Sequence, residues 1–252
     1  VSNQKFRGIT FESQKSLYKP SFKNQLANVY RTVTSIKAPF SKSRESGTWL
    51  WTPVLQMEPE YMKSVLQGAK DNNINTIYLS VDSYLDLYTM EEGAQKDLEY
   101  SKFVSILEYF IKEANSMGIG VDAEAGWRNF AEIGHTYKPI AIIDFVKKFN
   151  QKSDYDFRGL QYDIEPYLLD EYQTDNALVL KNFVTLVDQS VDLLQGSDLQ
   201  LSIVIPDFYD ERDGVTSRFV YNGENDYAFK HLLLILDRKR DSSIIIMSYR
   251  NQ

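Results

Sequence analysis

The residues best suited to chemistry are Asp163 and Glu165, in the stretch Phe157-Arg158-Gly159-Leu160-Gln161-Tyr162-Asp163-Ile164-Glu165-Pro166-Tyr167. The stretch reads as a short buried β-strand that ends in two carboxylates with one apolar residue between them. Strand side chains alternate faces, so Leu160, Tyr162 and Ile164 point one way and Gln161, Asp163 and Glu165 the other. The two acids then share a face, roughly 6–7 Å apart along the backbone. Carboxyl groups that close raise each other's proton affinity, which is how one of them is kept protonated near neutral pH for general acid work. The structural alternative is a strand end whose acids cap the next helix or pair with an arginine.

Further acids fall at the ends of neighbouring strand-like runs: Asp82, then Asp122 and Glu124, then Asp207. Aromatic residues stand near the same ends, namely Trp51, Tyr84, Trp127, Tyr167 and Phe208. A carboxylate-lined cleft with aromatic walls suits a neutral polyhydroxylated ligand: acids accept hydrogen bonds from hydroxyls, and rings cover the apolar faces of sugars. Each aromatic taken singly also suits core packing.

These residues need a scaffold that brings strand ends together, and the pattern supplies one. Strand-like runs at residues 48–55, 74–82, 119–126, 157–165, 199–205 and 243–249 alternate with helical periodicity at 97–117, 139–150, 176–195 and 227–238, and a further helix follows Pro59. Phe103, Ile106, Leu107, Phe110 and Ala114 form one helical stripe, which Gly118 ends. Strands alternating with helices of this length make βαβ units and a parallel sheet. The glycine-rich phosphate loop of a dinucleotide fold is absent after the first strand, where Trp51-Thr52-Pro53 stands instead. Polar residues at several strand ends favour a (β/α)8 barrel, whose active site is assembled there. Six strands are visible before Gln252, so the expectation is a barrel whose last two strands need ~60 more residues at the usual unit length.

The bulk numbers narrow the function classes. The 252 residues are 43% hydrophobic and include no cysteine and only two histidines, His135 and His231, which leaves no thiolate or multi-histidine metal site. No cofactor is expected. No apolar run approaches the ~20 residues that cross a bilayer. Residues 1–46 hold nine Lys/Arg against two Asp/Glu, a balance of +7, so the remainder carries −14 of the net −7. An acidic body argues against nucleic acid or an anionic membrane as the main partner. The basic stretch 1–46 reads as a linker or the tail of an upstream segment, with the barrel spanning 47–252. The opening at Val1, with no initiator Met and no signal-like apolar core, fits an excerpt or a processed product. Aromatics make up 13%, with 17 Tyr, an excess that suits sugar stacking and barrel cores alike.

On two motifs the chain resembles family 18 glycoside hydrolases. Gly159-Leu160-Gln161-Tyr162-Asp163-Ile164-Glu165 is similar to that family's strand-4 signature DGxDxDxE, and Met247-Ser248-Tyr249 resembles its strand-6 M-x-Y-D motif. The resemblance implies that Glu165 is the general acid, that Asp163 orients the substrate's N-acetyl group and stabilises an oxazolinium, and that Tyr249 hydrogen-bonds the same group. This substrate-assisted retention is an exception to the two-carboxylate scheme. The resemblance implies a β-linked, N-acetylated polysaccharide as substrate and an extracellular or cell-surface location; the strand-end residues Trp51, Asp82, Glu124, Trp127, Tyr167 and Asp207 would line the subsites, with Arg250 adding a cation near them. The chain departs from the family at Arg158 and Gln161, which replace the first two acids, and at Arg250, which replaces the Asp after the tyrosine. Ala123-Glu124-Ala125-Gly126 stands for the strand-3 S-x-G-G. Three rivals stand beside this reading. Glu165-Pro166 is similar to the Asn-Glu-Pro of retaining β-glycosidases whose nucleophile Glu lies on strand 7. A magnesium-dependent lyase would use Glu124, Glu165 and Asp207. A carbohydrate-binding barrel would have lost activity.

Overall fold

The computed structural model describes residues 45–210 and 214–248. The 1–44 part of the expected basic segment, and Tyr249 and Arg250, lie outside them.

Among the described residues six strands form one parallel sheet: β1 (Gly47–Leu50), β2 (Thr76–Ser80), β3 (Gly120–Ala125), β4 (Gly159–Tyr162), β5 (Gln200–Pro206) and β8 (Ser242–Met247). A short hairpin, β6 (Phe219–Tyr221) and β7 (Glu224–Asp226), stands apart from it. Strand order in the sheet follows the chain, β1-β2-β3-β4-β5-β8, with every pair parallel. Parallel crossovers are right-handed, so a sheet whose order never reverses carries all its helices on one face. A doubly wound sheet needs a reversal. This topology therefore belongs to the barrel class.

The sheet is curled as well as singly wound. The Trp49 indole Nε1 donates to Gln161 Oε1 at 2.6 Å, joining β1 to β4. Those strands are separated by β2 and β3, and neighbouring strands lie about 4.8 Å apart. Side chains three strands apart meet only if the face they share is concave. Among the described residues β1 and β8 remain unpaired edges, so the sheet is an open, curled six-stranded arc of a (β/α) barrel.

The two faces are chemically distinct. Ile77, Leu79, Val121, Ala123, Leu160, Tyr162, Leu201 and Ile203 turn outward and are buried beneath the helices, where the Tyr162 hydroxyl meets Ser190 Oγ at 3.0 Å. The helices are α1 (Pro59–Asp71), α2 (Tyr84–Thr89), α3 (Ala94–Ser116), α4 (Tyr137–Lys152), α5 (Tyr172–Leu193) and α6 (Ala228–Leu236). Pro59 opens α1 at a position whose N–H needs no partner. After α3, Gly118 takes φ +75°, and the bonds Ile119 N–H to Ala114 O and Gly118 N–H to Asn115 O close a Schellman turn. The concave face is polar. Tyr78, Asp122 and Gly159 form one register row after Trp49, and Ser80, Glu124, Gln161, Ser202 and Ser243 form the next.

At the amino end of the strands Arg158 grips Asp122 with two bonds, Nε to Oδ1 at 2.9 Å and Nη2 to Oδ2 at 2.8 Å. Its Nη2 also reaches Glu45 Oε1 at 2.7 Å. The residue that departs from the strand-4 signature at 158 thus ties β4, β3 and the chain before β1 together.

Several elements differ from expectation, α3 and α5 opening at Ala94 and Tyr172 rather than at 97 and 176. The first strand ends at Leu50, and a 3-10 turn at Val54–Gln56 follows Pro53 where a strand to 55 was expected. The helix expected to open at Pro139 begins two residues earlier, at Tyr137. Helix α2 was not foreseen. The polar loop after β5 contains the β6–β7 hairpin, turned at Asn222 and Gly223 with φ +48° and +85°, the pairing that an Asn-Gly dipeptide favours.

Replacing Trp49 with Phe removes the donor across the arc and leaves the buried Gln161 carbonyl unpaired. The expected cost is about 1–3 kcal/mol of unfolding free energy, read from the urea midpoint at unchanged slope. Trp51→Phe, at an exposed ring, is expected to stay within about 0.5 kcal/mol.

Candidate active site

The carboxyl ends of β2, β3 and β4 bring Asp82, Glu124 and Asp163 together. The ladder runs one residue past β4, with the Asp163 N–H on Ala125 O at 3.1 Å. The chain then leaves the extended conformation. Ile164 is buried as an anchor, and Glu165 adopts φ −110°, ψ 72° before a 3-10 turn at Pro166–Leu168. Glu165 therefore stands beyond the strand, at its mouth, and the alternation that put both acids in one strand extends only to Asp163.

The structural alternatives for this pair are not realised. Glu165 occupies the cap position of the 3-10 turn, but its side chain makes no capping bond. Arg158 is committed to Asp122 and Glu45. Among the described residues no lysine or arginine is ion-paired with Asp82, Glu124, Asp163 or Glu165. The partner Glu165 does have is the Tyr167 hydroxyl, which donates to its Oε1. Tyr167 rests edge-on against Phe208 at 5.4 Å, and Phe208 against Tyr209 at 5.6 Å. Tyr209 is fully buried, and its hydroxyl lies within electrostatic reach of Tyr167 and Glu165.

Burial without a counter-charge dominates the electrostatics. Burial, and then the Glu165 charge, push Asp163 up to about 7. Burial pushes Asp82 up to about 6 against the opposing effect of the Gly126 N–H, which donates to its Oδ2 at 3.2 Å. Glu124 is held well above the ordinary carboxylate range by burial and by the charges of Asp82 and Asp163. The Ser80 hydroxyl facing it offsets part of this without a hydrogen bond of normal geometry. One oxygen of Asp82, one of Asp163 and both of Glu124 are buried without a hydrogen-bond partner.

The remaining expected residues are more dispersed. Asp207 follows β5 directly and is half-buried. Trp51 lies past the end of β1 and is 57% exposed. Trp127 keeps 40% exposure but packs against Phe130 and His135, with Lys138 Nζ 4.1 Å over its ring. Tyr84 is not a rim residue: it opens α2 and stacks on Phe145 at 4.3 Å, in the helix layer. Tyr249 and Arg250 lie outside the described residues. Among the described residues no three His, Asp or Glu side chains gather in a group able to hold a metal ion, so Glu124, Glu165 and Asp207 form no such group. No described helix is long and apolar enough to cross a membrane. Sequence reasoning missed Trp49 and Gln161 as partners, because their contact joins strands 112 positions apart.

No protein-family model and no curated protein matches the chain. Solved structures give a distant likeness to glycoside-hydrolase barrels. The pneumococcal virulence factor StrH, an exo-β-D-N-acetylglucosaminidase, aligns at 11% identity with a TM-score of 0.46, covering 75% of this chain and 62% of that one. β-Glucosidase 2 from the fungus Trichoderma reesei aligns at 11% identity with a TM-score of 0.43, covering 58% and 37%. The family 1 β-glucosidase from Thermotoga maritima aligns at 11% identity with a TM-score of 0.36. The chain thus spans under two thirds of each of these structures. The likeness is general to such barrels, does not single out family 18, and carries no residue roles.

Asp163 makes stability depend on pH. Between the ordinary 3.8 and about 7 the folded protein keeps a proton that the unfolded chain has released, so stability falls as pH rises through that window. Asp163→Asn abolishes this term. The variant should gain about 2–4 kcal/mol on the wild type between pH ~4 and pH ~8, measured by chemical unfolding. A difference that does not vary with pH would contradict the buried, unpaired state of Asp163.

Proposed function

We propose that the protein is a glycoside hydrolase that cleaves a β-linked, N-acetylated polysaccharide with retention of configuration, Glu165 serving as general acid. The observation that carries the reading is the state of Asp163 and Glu165. They are two acids at the carboxyl mouth of the fourth barrel strand, neither capped nor ion-paired among the described residues, and Asp163 exchanges its proton near neutrality.

In this reading Glu165 protonates the glycosidic oxygen as its bond to the anomeric carbon breaks. The substrate's own acetamido oxygen forms the new bond to that carbon, giving an oxazolinium. The Asp163 carboxylate accepts the acetamido N–H, whose acidity grows as positive charge develops on the ring. Glu165, now ionised, takes a proton from water as its oxygen attacks the anomeric carbon and opens the ring. The second inversion restores the starting configuration. The Tyr167 hydroxyl bond fixes the Glu165 rotamer for both proton transfers. Tyr249 is assigned to the acetamido group by motif resemblance. Trp51, Trp127, Asp82, Asp207 and Arg250 are assigned to subsites, whereas Glu124, expected there too, is fully buried and Tyr167 is bonded to Glu165; a location at or outside the cell surface goes with such a substrate.

Glu165→Gln is expected to lower kcat by about 10²–10⁴-fold on β-linked N-acetylhexosamine oligosaccharides while KM and the unfolding midpoint hold. Near-normal turnover in that variant would remove the assignment.

A further inference from the structure

Glu124 has no step in the reaction above, yet it is fully buried on the inner face of β3. Its register partners are Ser80 on β2 and Gln161 on β4. The groups that face it are Ser80 and Asp82 from the β2 side, and Gln161 and Asp163 from the β4 side. None carries a positive charge, and neither Glu124 oxygen has a hydrogen bond of normal geometry, the Ser80 hydroxyl offsetting only part of the effect of burial. Gly126 marks where the three acids converge. Its N–H binds Asp82, and a Cβ built on it would stand 2.5 Å from Glu124 Oε1 and 3.1 Å from the Asp163 backbone oxygen. The Glu124 carboxyl thus lies against Gly126, whose N–H binds Asp82 and whose missing Cβ faces the Asp163 backbone, in space that only glycine leaves open.

Buried carboxyl groups within electrostatic reach of one another and without a cation do not all ionise, and the deepest keeps its proton. At position 161 the chain has a glutamine, which holds no such proton and whose oxygen is taken by Trp49. Its direct neighbour in register is Glu124.

We propose that Glu124 is a positioning residue: it stays a neutral carboxylic acid and donates a hydrogen bond up to Asp163, supplying from β3 the acid that Gln161 lacks on β4. The burial that pushes its proton affinity upward acts in the same sense. The donated bond occupies one Asp163 oxygen and leaves the other turned toward substrate. An ionised Glu124 would instead repel Asp163 and raise its proton affinity. The role in catalysis rests on the reading of Asp163 given above; the location of the proton does not.

Infrared difference spectroscopy tests the proton directly. At mildly alkaline pH, past the range in which Asp82 and Asp163 ionise, wild type minus Glu124→Gln should show one carboxylic-acid carbonyl band. Loss of carboxylate bands instead overturns the proposal. If the Gln variant does not fold, the wild-type spectrum alone decides: one acid band persisting at that pH supports it, and complete ionisation overturns it. A kinetic comparison tests the positioning. Glu124→Gln keeps a donor and Glu124→Leu does not, so kcat of the Gln variant should exceed that of the Leu variant by about tenfold at matched KM. Equal kcat values overturn the role. Because the infrared arm needs no turnover, a failure of the hydrolase reading would leave its result standing.

Discussion

The hydrogen bond from Trp49 to Gln161 crosses the hollow of the sheet, and the placement of every acid follows from the curvature it records. A flat sheet would hold β1 and β4 about 14 Å apart at the usual strand spacing. Curling brings them into contact and makes the two faces unequal. The outer face is wide enough to carry Ile, Val and Leu side chains under a layer of helices. The inner face is crowded, and it carries Tyr78, Asp122, Glu124, Gln161 and Ser202. The same fold therefore provides a dry apolar layer for stability and a narrow polar groove for chemistry.

Two levels of that groove treat carboxyl groups in opposite ways. At the amino end Asp122 is answered by Arg158, whose two bonds and further reach to Glu45 lock three segments together. At the carboxyl end Glu124, Asp82 and Asp163 have no such answer among the described residues. Breaking a buried ion pair is strongly destabilising, so the lower level is a structural clamp. Unanswered acids cost stability as pH rises, and proteins keep such groups where proton affinity near neutrality is useful. The contrast within one groove separates the clamp from the site.

Much of this was legible in the sequence. Apolar periodicity located the six strands and most of the helices, and the missing glycine loop at Trp51-Thr52-Pro53 pointed away from a dinucleotide fold. The acids of Asp82, Glu124 and Asp163 were visible as strand-end residues. What the sequence hid was relational. Glu124 matters because of its register with Gln161, and Arg158 because of its reach to Asp122, and both depend on pairing between distant segments. Tyr84 looked like a rim aromatic because a six-residue helix is too short to show a period. Glu165 looked like a strand residue because Pro166, which turns the chain, comes only after it. The Asn222-Gly223 dipeptide did carry a hairpin signal, masked by the polar composition around it.

The central claim is that Asp163 and Glu165 cleave a sugar linkage with the substrate's own acetamido group as nucleophile. The anomeric configuration of the first product, read by proton NMR before mutarotation, tests it most directly. A β-linked N-acetylhexosamine oligosaccharide should release the β-anomer first, while the corresponding substrate without the acetamido group should not be cleaved. Initial release of the α-anomer, or cleavage of both substrates at similar rates, would contradict the account.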